Sequence, residues 1–175
     1  MELLKLEKLT NYIDELVVLL CDSVDSGASI GFLPPMSELE AKGYWMSVQE
    51  NMDAHNTILL IVKNDGQVIG SVQLSLSSKS NALHRCEIEK LMVLSDFQRQ
   101  GVATLLMQGA EKVAAAWQRE LIVLDTRTDD NAYHLYKKLG YKEAGDIPNY
   151  AKSASGDFDS TTIFYKEIST TQEVI

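Results

Sequence analysis

The chain shows two hydrophobic periodicities, and they divide it into predicted strands and helices. Residues 57–78 contain two apolar, β-rich runs around Asp65-Gly66, which predicts a β-hairpin. A further strand is predicted at 2–9. Two helices are predicted before the hairpin, and their apolar faces recur every three or four residues: Ile13, Leu16, Val17, Leu20 and Val24 in the first, and Ala41, Trp45, Val48 and Met52 in the second.

Polar residues mark where these two helices are expected to begin. Thr10 is the expected cap of the first helix, since a threonine hydroxyl can accept a hydrogen bond from a free N–H of the first turn. Ser37 followed by Glu40 forms a capping box for the second helix. The segment between the two helices contains two glycines and two prolines, which predicts a loop.

Strands and helices alternate in the second half of the chain. Strands are predicted at 84–94 and 120–126, each followed by a helix, at 100–117 and 131–140. Closing strands are predicted at 141–145 and 161–168 with a polar loop between them, and 169–175 as a loose tail. The pattern predicts a mixed α/β fold in which one sheet has helices on both sides, as a single domain over 1–175.

Composition and charge narrow the functional classes. The chain has 175 residues, 45% hydrophobic and 23% charged, which is typical of one globular domain. Its net charge of −9 argues against nonspecific nucleic-acid binding and weakly favours cationic substrates, although solubility alone would explain it. Cys21 and Cys86 form neither a metal-ligand spacing nor a disulfide framework, so we expect no metal and a reducing cytoplasm. Neither a leader nor a membrane-spanning run is expected.

The segment QRQGVA, residues 98–103, separates a predicted strand from a predicted helix. The first N–H groups of a helix lack partners within it and bind phosphate readily. Gly101 lets a ligand approach the backbone, and the small side chain of Ala103 leaves the first turn of the helix uncovered. Arg99 adds a positive charge. Neither a P-loop lysine nor a G-x-G-x-x-G is present. The alternative is a plain helix start with a glycine near its cap.

Two motifs in this order resemble the GNAT superfamily of N-acetyltransferases. Gln98, Gly101 and Ala103 match the phosphate-loop motif [Q/R]-x-x-G-x-[G/A]. Ala132, Tyr136, Gly140 and Tyr141 match the later motif A-x-x-x-Y-x-x-x-G-[F/Y]. The resemblance spans roughly 57–166 by motif, and the N-terminal helices match by order. It implies a mixed, mostly antiparallel sheet of about six or seven strands with a splayed central pair. It also implies an enzyme that uses acetyl-CoA to acetylate an amine.

The resemblance also implies which residues hold acetyl-CoA. The strand backbone contributes Leu91, Met92 and Val93. The phosphate loop contributes the amides of Gln98, Arg99, Gln100, Gly101, Val102, Ala103 and Thr104. The later helix contributes Asn131 and Tyr136. Members often carry Asn three residues before the Ala, where this chain has Asp129, with Asn131 nearby. In the family, the tyrosine at position 136 commonly protonates the cofactor sulfur; the alternative is a core tyrosine.

Acetyl transfer to an amine needs a group that accepts a proton, because an alkylammonium has a pKa of about 10. Glu87 and Glu89 share one face of their strand, and the position of any bulge decides which of them faces the thioester. The resemblance favours Glu87; either residue could instead lie on a solvated face or pair with Arg85 or Lys90. Asp125 ends an apolar strand where ligand crevices form, although it could instead bind backbone amides there.

Further stretches resemble the tabtoxin-resistance subgroup: GASIGF, QLSL, EKLMVL, LDT and a final FYKEI. This implies a small-molecule primary amine as substrate, with a toxin or antibiotic among the candidates. Separately, we expect a monomer or homodimer that binds neither nucleic acid nor membrane. A protein acetyltransferase and a non-catalytic CoA sensor remain alternatives. Aromatic residues available as pocket walls are Phe32, Tyr44, Trp45 and Tyr150, of which Trp45 fits the core better. Cys86 is expected to be buried rather than nucleophilic.

Overall fold

A computed structural model describes residues 1–169 and contains one seven-stranded sheet with four α-helices. The elements are, in order, β1 (Glu2–Leu6), α1 (Ile13–Asp25), α2 (Glu38–Asp53), β2 (Thr57–Asn64), β3 (Gln67–Leu76), β4 (Arg85–Val93), a 3-10 turn (Ser95–Phe97), α3 (Val102–Ala116), β5 (Leu121–Arg127), α4 (Asn131–Lys138), β6 (Lys142–Lys152) and β7 (Phe158–Glu167). No helix within 1–169 combines the length and apolarity needed to span a membrane. The predicted tail lies, apart from Ser169, outside the described residues.

The strands follow the order β1-β2-β3-β4-β5-β7-β6. Neighbouring strands pair antiparallel everywhere except between β4 and β5, which are parallel. A parallel pair needs a crossover connection, and α3 supplies it. The expected mixed, mostly antiparallel sheet is therefore confirmed.

The parallel pair β4–β5 separates after a short contact. Pairing runs only from Arg85↔Leu121 to Glu87↔Val123, although β4 continues to Val93 and β5 to Arg127. The two strands therefore diverge into a gap, which we call the β4–β5 gap. This is the splayed central pair that the resemblance implied.

A bulge in β4 accompanies the divergence. Gln73 pairs with Glu89 and Ser71 pairs with Met92, so that two residues of β4, Lys90 and Leu91, lie opposite a single residue of β3. Lys90 has a φ of 52°, in the left-handed region that a lysine rarely occupies. Bulges increase the local twist of a strand. The bulge thus turns the end of β4 away from β5.

Helices cover both faces of the sheet, as predicted. The indole N–H of Trp45 on α2 donates to Leu16 O on α1 at 2.8 Å, so the two helices pack together on one face. On the other face, α3 lies directly over Gly70, where an added Cβ would be 2.9 Å from Val102 Cγ1 and from Met92 O. Only a glycine permits this close approach of helix and strand.

The two predicted helix starts had different outcomes. The capping box at Ser37 is confirmed, because Ser37 Oγ accepts a hydrogen bond from the Glu40 N–H at 3.2 Å. The cap at Thr10 was wrong: α1 begins at Ile13, and its N-cap Tyr12 makes no side-chain hydrogen bond. The chain turns just before the helix, with the Tyr12 N–H donating to Leu9 O at 2.8 Å, and this delays its start.

The polar loop predicted between the last two strands was also wrong. β6 continues to Lys152 and β7 already begins at Phe158, which leaves a turn closed by the Ser153 N–H donating to Asp157 O at 2.7 Å. Nearly every residue of β6 is exposed. A strand without a buried face lacks the alternation by which strands are predicted.

Candidate functional site

The start of α3 presents unpaired backbone N–H groups. Gly101 is the N-cap, with a φ of 86°, and no side chain caps the helix. The first hydrogen bond into the helix runs from Leu105 N to Gly101 O at 3.0 Å, so the N–H groups of 102–104 have no acceptor within it. The first turn contains no acidic residue. This end of α3 is therefore free to accept a negative charge.

The space above Gly101 is open. A Cβ built at this position would meet no heavy atom within 4 Å. Arg99 adds a second left-handed residue, with a φ of 60°, and Gln100 Nε2 donates to Asp96 O at 3.0 Å, which holds the loop back against the preceding turn. Exposed amides, open space and one arginine fit a pyrophosphate, and the predicted phosphate-loop residues 98–104 all lie in this one segment.

The edge of β4 beyond Glu87 is available to an extended ligand. The Leu94 N–H donates to Ile69 O on β3 at 3.0 Å. Because the polar groups of successive residues point to opposite sides of a strand, those of Met92 point toward β3 and those of Val93 toward the gap. Val93 can therefore pair with an amide-containing chain as an added strand would. Leu91 and Val93 are half-buried at this edge.

Glu87 and Asp125 lie on the face of the sheet covered by α1 and α2. Glu87 pairs with Val123, and Asp125 follows two residues later on the same face of β5. The Glu87 side chain is exposed to solvent, but the protein around it removes part of its hydration. This desolvation, followed by the nearby charges of Glu89 and Asp125, raises the pKa of Glu87, while Arg85 and Lys90 oppose this. The Thr161 hydroxyl lies 3.0 Å from Asp125 Oδ2. Two carboxylates thus flank the start of the gap.

Tyr136 lies on the opposite face. It is 5% exposed, and its ring packs 5.8 Å from that of Tyr141 and 6.0 Å from that of Phe164, measured between centroids. Burial, followed by the charges of Asp125 and Asp130, raises the pKa of Tyr136, so its hydroxyl stays protonated at neutral pH. Phe164 pairs with Leu124 on β5, the residue before Asp125, so Tyr136 lies close to the gap from the other side.

The helix α4 that carries Tyr136 is fixed at both ends. Asp130 caps it by accepting a hydrogen bond from the Asn131 N–H at 2.6 Å. Gly140 follows the helix with a φ of 84°, and the Tyr141 N–H donates back to Tyr136 O at 3.0 Å. Asp129 precedes the cap with a φ of 61°. Asn131 is exposed at the first turn.

Aromatic side chains line the α1–α2 side of the site. The rings of Phe32 and Tyr44 meet edge to face at 5.2 Å, and Gln73 Nε2 donates to the Tyr44 hydroxyl at 2.7 Å. Burial raises the pKa of Tyr44 to about 12, with Glu89 adding to the effect and the Gln73 hydrogen bond opposing it. Trp45 is fully buried, as expected of a core residue, and Tyr150 is 53% exposed on β6.

Two other expectations concern nucleophiles and metals. Cys86 is 1% exposed, and burial raises the pKa of its thiol to about 11, so the expectation of a buried cysteine is confirmed. Within residues 1–169, no group of three or more His, Cys, Asp or Glu side chains could hold a metal ion.

Sequence reasoning missed three residues around the gap. Gln73 and Lys90 are neighbours of Glu89, Gln73 on β3 and Lys90 next in sequence, and they contact Tyr44 and Phe32. Arg127 is the last residue of β5 and contacts three other segments. Their partners are distant in sequence, and the Lys90 bulge leaves no signature in the hydrophobic pattern. A polar residue inside the apolar strand β3, such as Gln73, was the one available signal.

Comparison with known proteins bears on this arrangement. The sequence model of the acetyltransferase (GNAT) family matches residues 29–141, which is more than half of the chain. Among curated proteins, an N-alpha-acetyltransferase from Sulfurisphaera tokodaii is 24% identical over 110 residues. That match covers 58% of this chain and 66% of the relative, just under two thirds of its length.

Solved structures share the fold over nearly the whole chain. An N-acetyltransferase from Staphylococcus aureus Mu50 has a TM-score of 0.78 at 15% identity, covering 95% of this chain and 99% of its own. A proposed acetyltransferase from Salmonella typhimurium, solved with its cofactor acetyl-CoA, has a TM-score of 0.80 at 13% identity, covering 100% and 98%. At these identities the likeness shows the fold, and it confirms the predicted fold class.

Proposed function

Because the chain belongs to the acetyltransferase (GNAT) family, whose members use acetyl-CoA as acetyl donor, we propose that it acetylates a primary amine of a small molecule. One observation carries this proposal: the β4–β5 gap has two carboxylates, Glu87 and Asp125, on one face and Tyr136 on the other. The acceptor amine must lose a proton and the leaving thiolate must gain one. The carboxylates on one face can accept the first proton, and the tyrosine on the other face can donate the second.

We propose that acetyl-CoA binds with its pyrophosphate at residues 98–104 and its pantetheine arm along the edge of β4 from Leu91 to Val93. The free N–H groups of the first turn of α3 and the positive end of its dipole support the first contact. The backbone of Val93, directed at the gap, supports the second, and Asn131 lies at the helix that borders the gap. When bound, acetyl-CoA supplies a thioester carbonyl that an amine can attack.

Glu87 is the proposed base. The pKa of Glu87 is raised and is therefore closer to the pKa of an ammonium group, which favours proton transfer through one water. Asp125, which accepts a hydrogen bond from the Thr161 hydroxyl, orients the amine by accepting a second hydrogen bond from one of its N–H groups. Glu89 lies next to Tyr44 and Gln73, where its charge helps to raise the pKa of Glu87.

The titration of Glu87 predicts a pH profile with two opposite shifts. A base must be ionised, so kcat/KM should fall as pH drops through the Glu87 pKa, and this break should lie above the ordinary glutamate value of 4.5. Glu89→Gln removes a negative neighbour, lowers that pKa and moves the break to lower pH. Lys90→Met removes a positive neighbour and moves it to higher pH. Steady-state rates from about pH 4, near the ordinary pKa of a carboxyl group, to about pH 9 check this. Shifts of equal sign would show that Glu87 is not the titrating group.

Tyr136 is the proposed proton donor to the leaving sulfur. Tyr136→Phe should lower kcat by roughly a hundredfold, the low end of what a positioned proton donor contributes, while acetyl-CoA affinity changes little. Rapid-quench kinetics and calorimetry measure the two quantities. Tyr133→Phe is the matched control, since it removes from the same helix a hydroxyl that donates to Glu143 Oε1 at 2.8 Å on the surface. Equal kcat in the Tyr136 and Tyr133 variants would leave Tyr136 a core residue.

The acceptor class separates the proposal from its alternatives. The aromatic wall of Phe32 and Tyr44 and the resemblance to the tabtoxin-resistance subgroup support a small molecule, with toxins and antibiotics among the candidates. The name of the Sulfurisphaera relative favours a protein N-terminus instead. The assay measures release of the CoA thiol with two groups of candidate acceptors. The first group contains amino acids, dipeptides, polyamines and aminoglycosides, and the second contains peptides with a free N-terminus or a lysine. Turnover of peptides alone would overturn the small-molecule proposal, and tight acetyl-CoA binding with no turnover would support a sensor.

The remaining expectations are proposals of the same kind. We propose that residues 1–175 act as one domain, working as a monomer or homodimer without nucleic acid or membrane. The two free cysteines, Cys21 and Cys86, suit a reducing cytoplasm.

A further inference from the structure

We infer that Arg127 positions the acetyl acceptor by fixing the loop between α1 and α2, residues 26–37, across the β4–β5 gap. This inference rests on the proposed function. Arg127 is the last residue of β5 and lies on the same face as Asp125. It is a positioning residue, because it acts through the loop and not on the reacting atoms.

The guanidinium of Arg127 joins three segments that are far apart in sequence. Its Nε lies 2.9 Å from Asp159 Oδ2 on β7 and its Nη1 3.7 Å from Asp130 Oδ2 at the cap of α4. Its Nη2 donates to Gly27 O in the loop at 3.3 Å. The Arg127 side chain is 30% exposed, so solvent screens these contacts less than it would at the open surface. The guanidinium carries its N–H donors on separate nitrogens in a rigid planar fork, so it can reach partners that lie apart, whereas a lysine ammonium is a single compact charge.

The same loop also contacts β4. Lys90 Nζ lies over the ring of Phe32 at 5.8 Å from its centroid, and Phe32 packs against Tyr44. Gly27 is thus tied to β5 and Phe32 to β4. The loop therefore crosses the gap on the face where Glu87 and Asp125 lie.

The start of the loop is capped onto α1, where the Gly27 N–H donates to Val24 O and the Ala28 N–H to Ser23 O, both at 3.0 Å. Beyond this cap, the contacts with Arg127 and Lys90 hold the loop against the sheet. The loop contains no helix or strand, and both of its glycines, Gly27 and Gly31, have a φ of 87°. Since the loop carries Phe32, its position sets the distance between the aromatic wall and the two carboxylates. An acceptor held between them should bind more weakly once the loop is released from β5.

Acetyl-CoA binding and the α4 cap should survive the loss of Arg127. The phosphate cradle lies at α3, away from the loop. Asp130 caps α4 through its other oxygen, Oδ1, which accepts from the Asn131 N–H. Loss of the guanidinium should therefore change acceptor binding without displacing Tyr136.

The kinetic test compares Arg127→Met with Arg127→Lys, using the fastest acceptor from the amine panel. For Arg127→Met we expect the acceptor KM to rise about tenfold, as for the loss of one charged hydrogen bond, with kcat within about threefold and the acetyl-CoA Kd unchanged. Arg127→Lys keeps the charge beside Asp159 but not all three contacts, so its KM should fall between those of the parent and Arg127→Met. Lys142→Met is the control: it removes an exposed cation over the Tyr165 ring on the same half of the sheet.

Hydrogen exchange supplies a readout that needs no turnover. In Arg127→Met, amides of 27–33 should exchange faster while those of α4 do not, and Lys142→Met should match the parent. Unchanged exchange in 27–33 overturns the inference, and so does faster exchange with an unchanged acceptor KM. If the parent acetylates no amine, the proposed function fails on that assay, whereas an active parent with an unaffected KM in Arg127→Met contradicts only the role of Arg127.

Discussion

Glu87→Gln and Asp125→Asn are each expected to lower the rate of acetyl transfer, on the order of ten- to ten-thousand-fold, the range that general-base groups supply. Both changes keep the size of the side chain and remove its charge. The double variant should lose far less than the product of the two single losses, because residues that act on one proton as a unit are not additive. Glu87 pairs with Val123, two residues before Asp125 on the same face. Desolvation raises the pKa of Glu87, and the charges of Glu89 and Asp125 add to this, which agrees with coupling between the two carboxylates.

Rates at saturating acceptor and calorimetry with acetyl-CoA measure this cycle. Acetyl-CoA should bind all three variants as it binds the parent, since the phosphate cradle is untouched. Glu120→Gln serves as the matched control, because it neutralises a carboxylate just before β5, at the opposite end of that strand from Asp125. Single losses that multiply would show two independent groups, and unchanged rates would show that solvent takes the proton.

Gly101→Asp should weaken acetyl-CoA binding by about 3 kcal/mol, roughly a hundredfold in Kd. The new carboxylate would project into the open space above the unpaired N–H groups of α3, where it would repel a phosphate and compete for its donors. Aspartate tolerates the left-handed backbone at this position better than most residues, so the fold should survive. Calorimetry with acetyl-CoA, with circular dichroism as a check on folding, measures the effect.

Two control variants separate charge from backbone strain. Gly101→Asn has nearly the same shape without the charge, and it should lose clearly less affinity than Gly101→Asp. Gly156→Asp introduces the same residue at another left-handed glycine in open space, with a φ of 96°, in the β6–β7 turn, and should bind acetyl-CoA normally. Unchanged affinity in Gly101→Asp would remove this loop from the cofactor site.

Elements governed by local chemistry could be predicted from the sequence. The capping box at Ser37 and the hairpin at Asp65-Gly66 are confirmed, because each depends on residues within a few positions of one another. The extension of β6 could not be predicted, since its pairing with β7 depends on distant backbone groups and its side chains are almost all exposed.

The sequence proposed residues for the candidate site but could not predict how they are arranged. Sequence placed Glu87 and Glu89 on one face, but the bulge at Lys90 follows from strand pairing and has no local cause that the sequence displays. It also could not show that Tyr136 approaches the gap from the face opposite to Glu87. The contact between Arg127 and Gly27 joins residues 100 positions apart, a separation at which no pattern of spacing applies.

The position of β7 inside the sheet has a consequence for biosynthesis. β5 pairs with β4 through three residue pairs only and with β7 through seven, from Leu121↔Glu167 to Arg127↔Thr161. A growing polypeptide leaves the ribosome from its N-terminus, so β5 emerges well before the strand that holds most of it in place. Thr161, which braces Asp125, arrives with that later strand. The nascent chain can therefore complete neither the sheet nor the acceptor face of the gap until β7 has been translated.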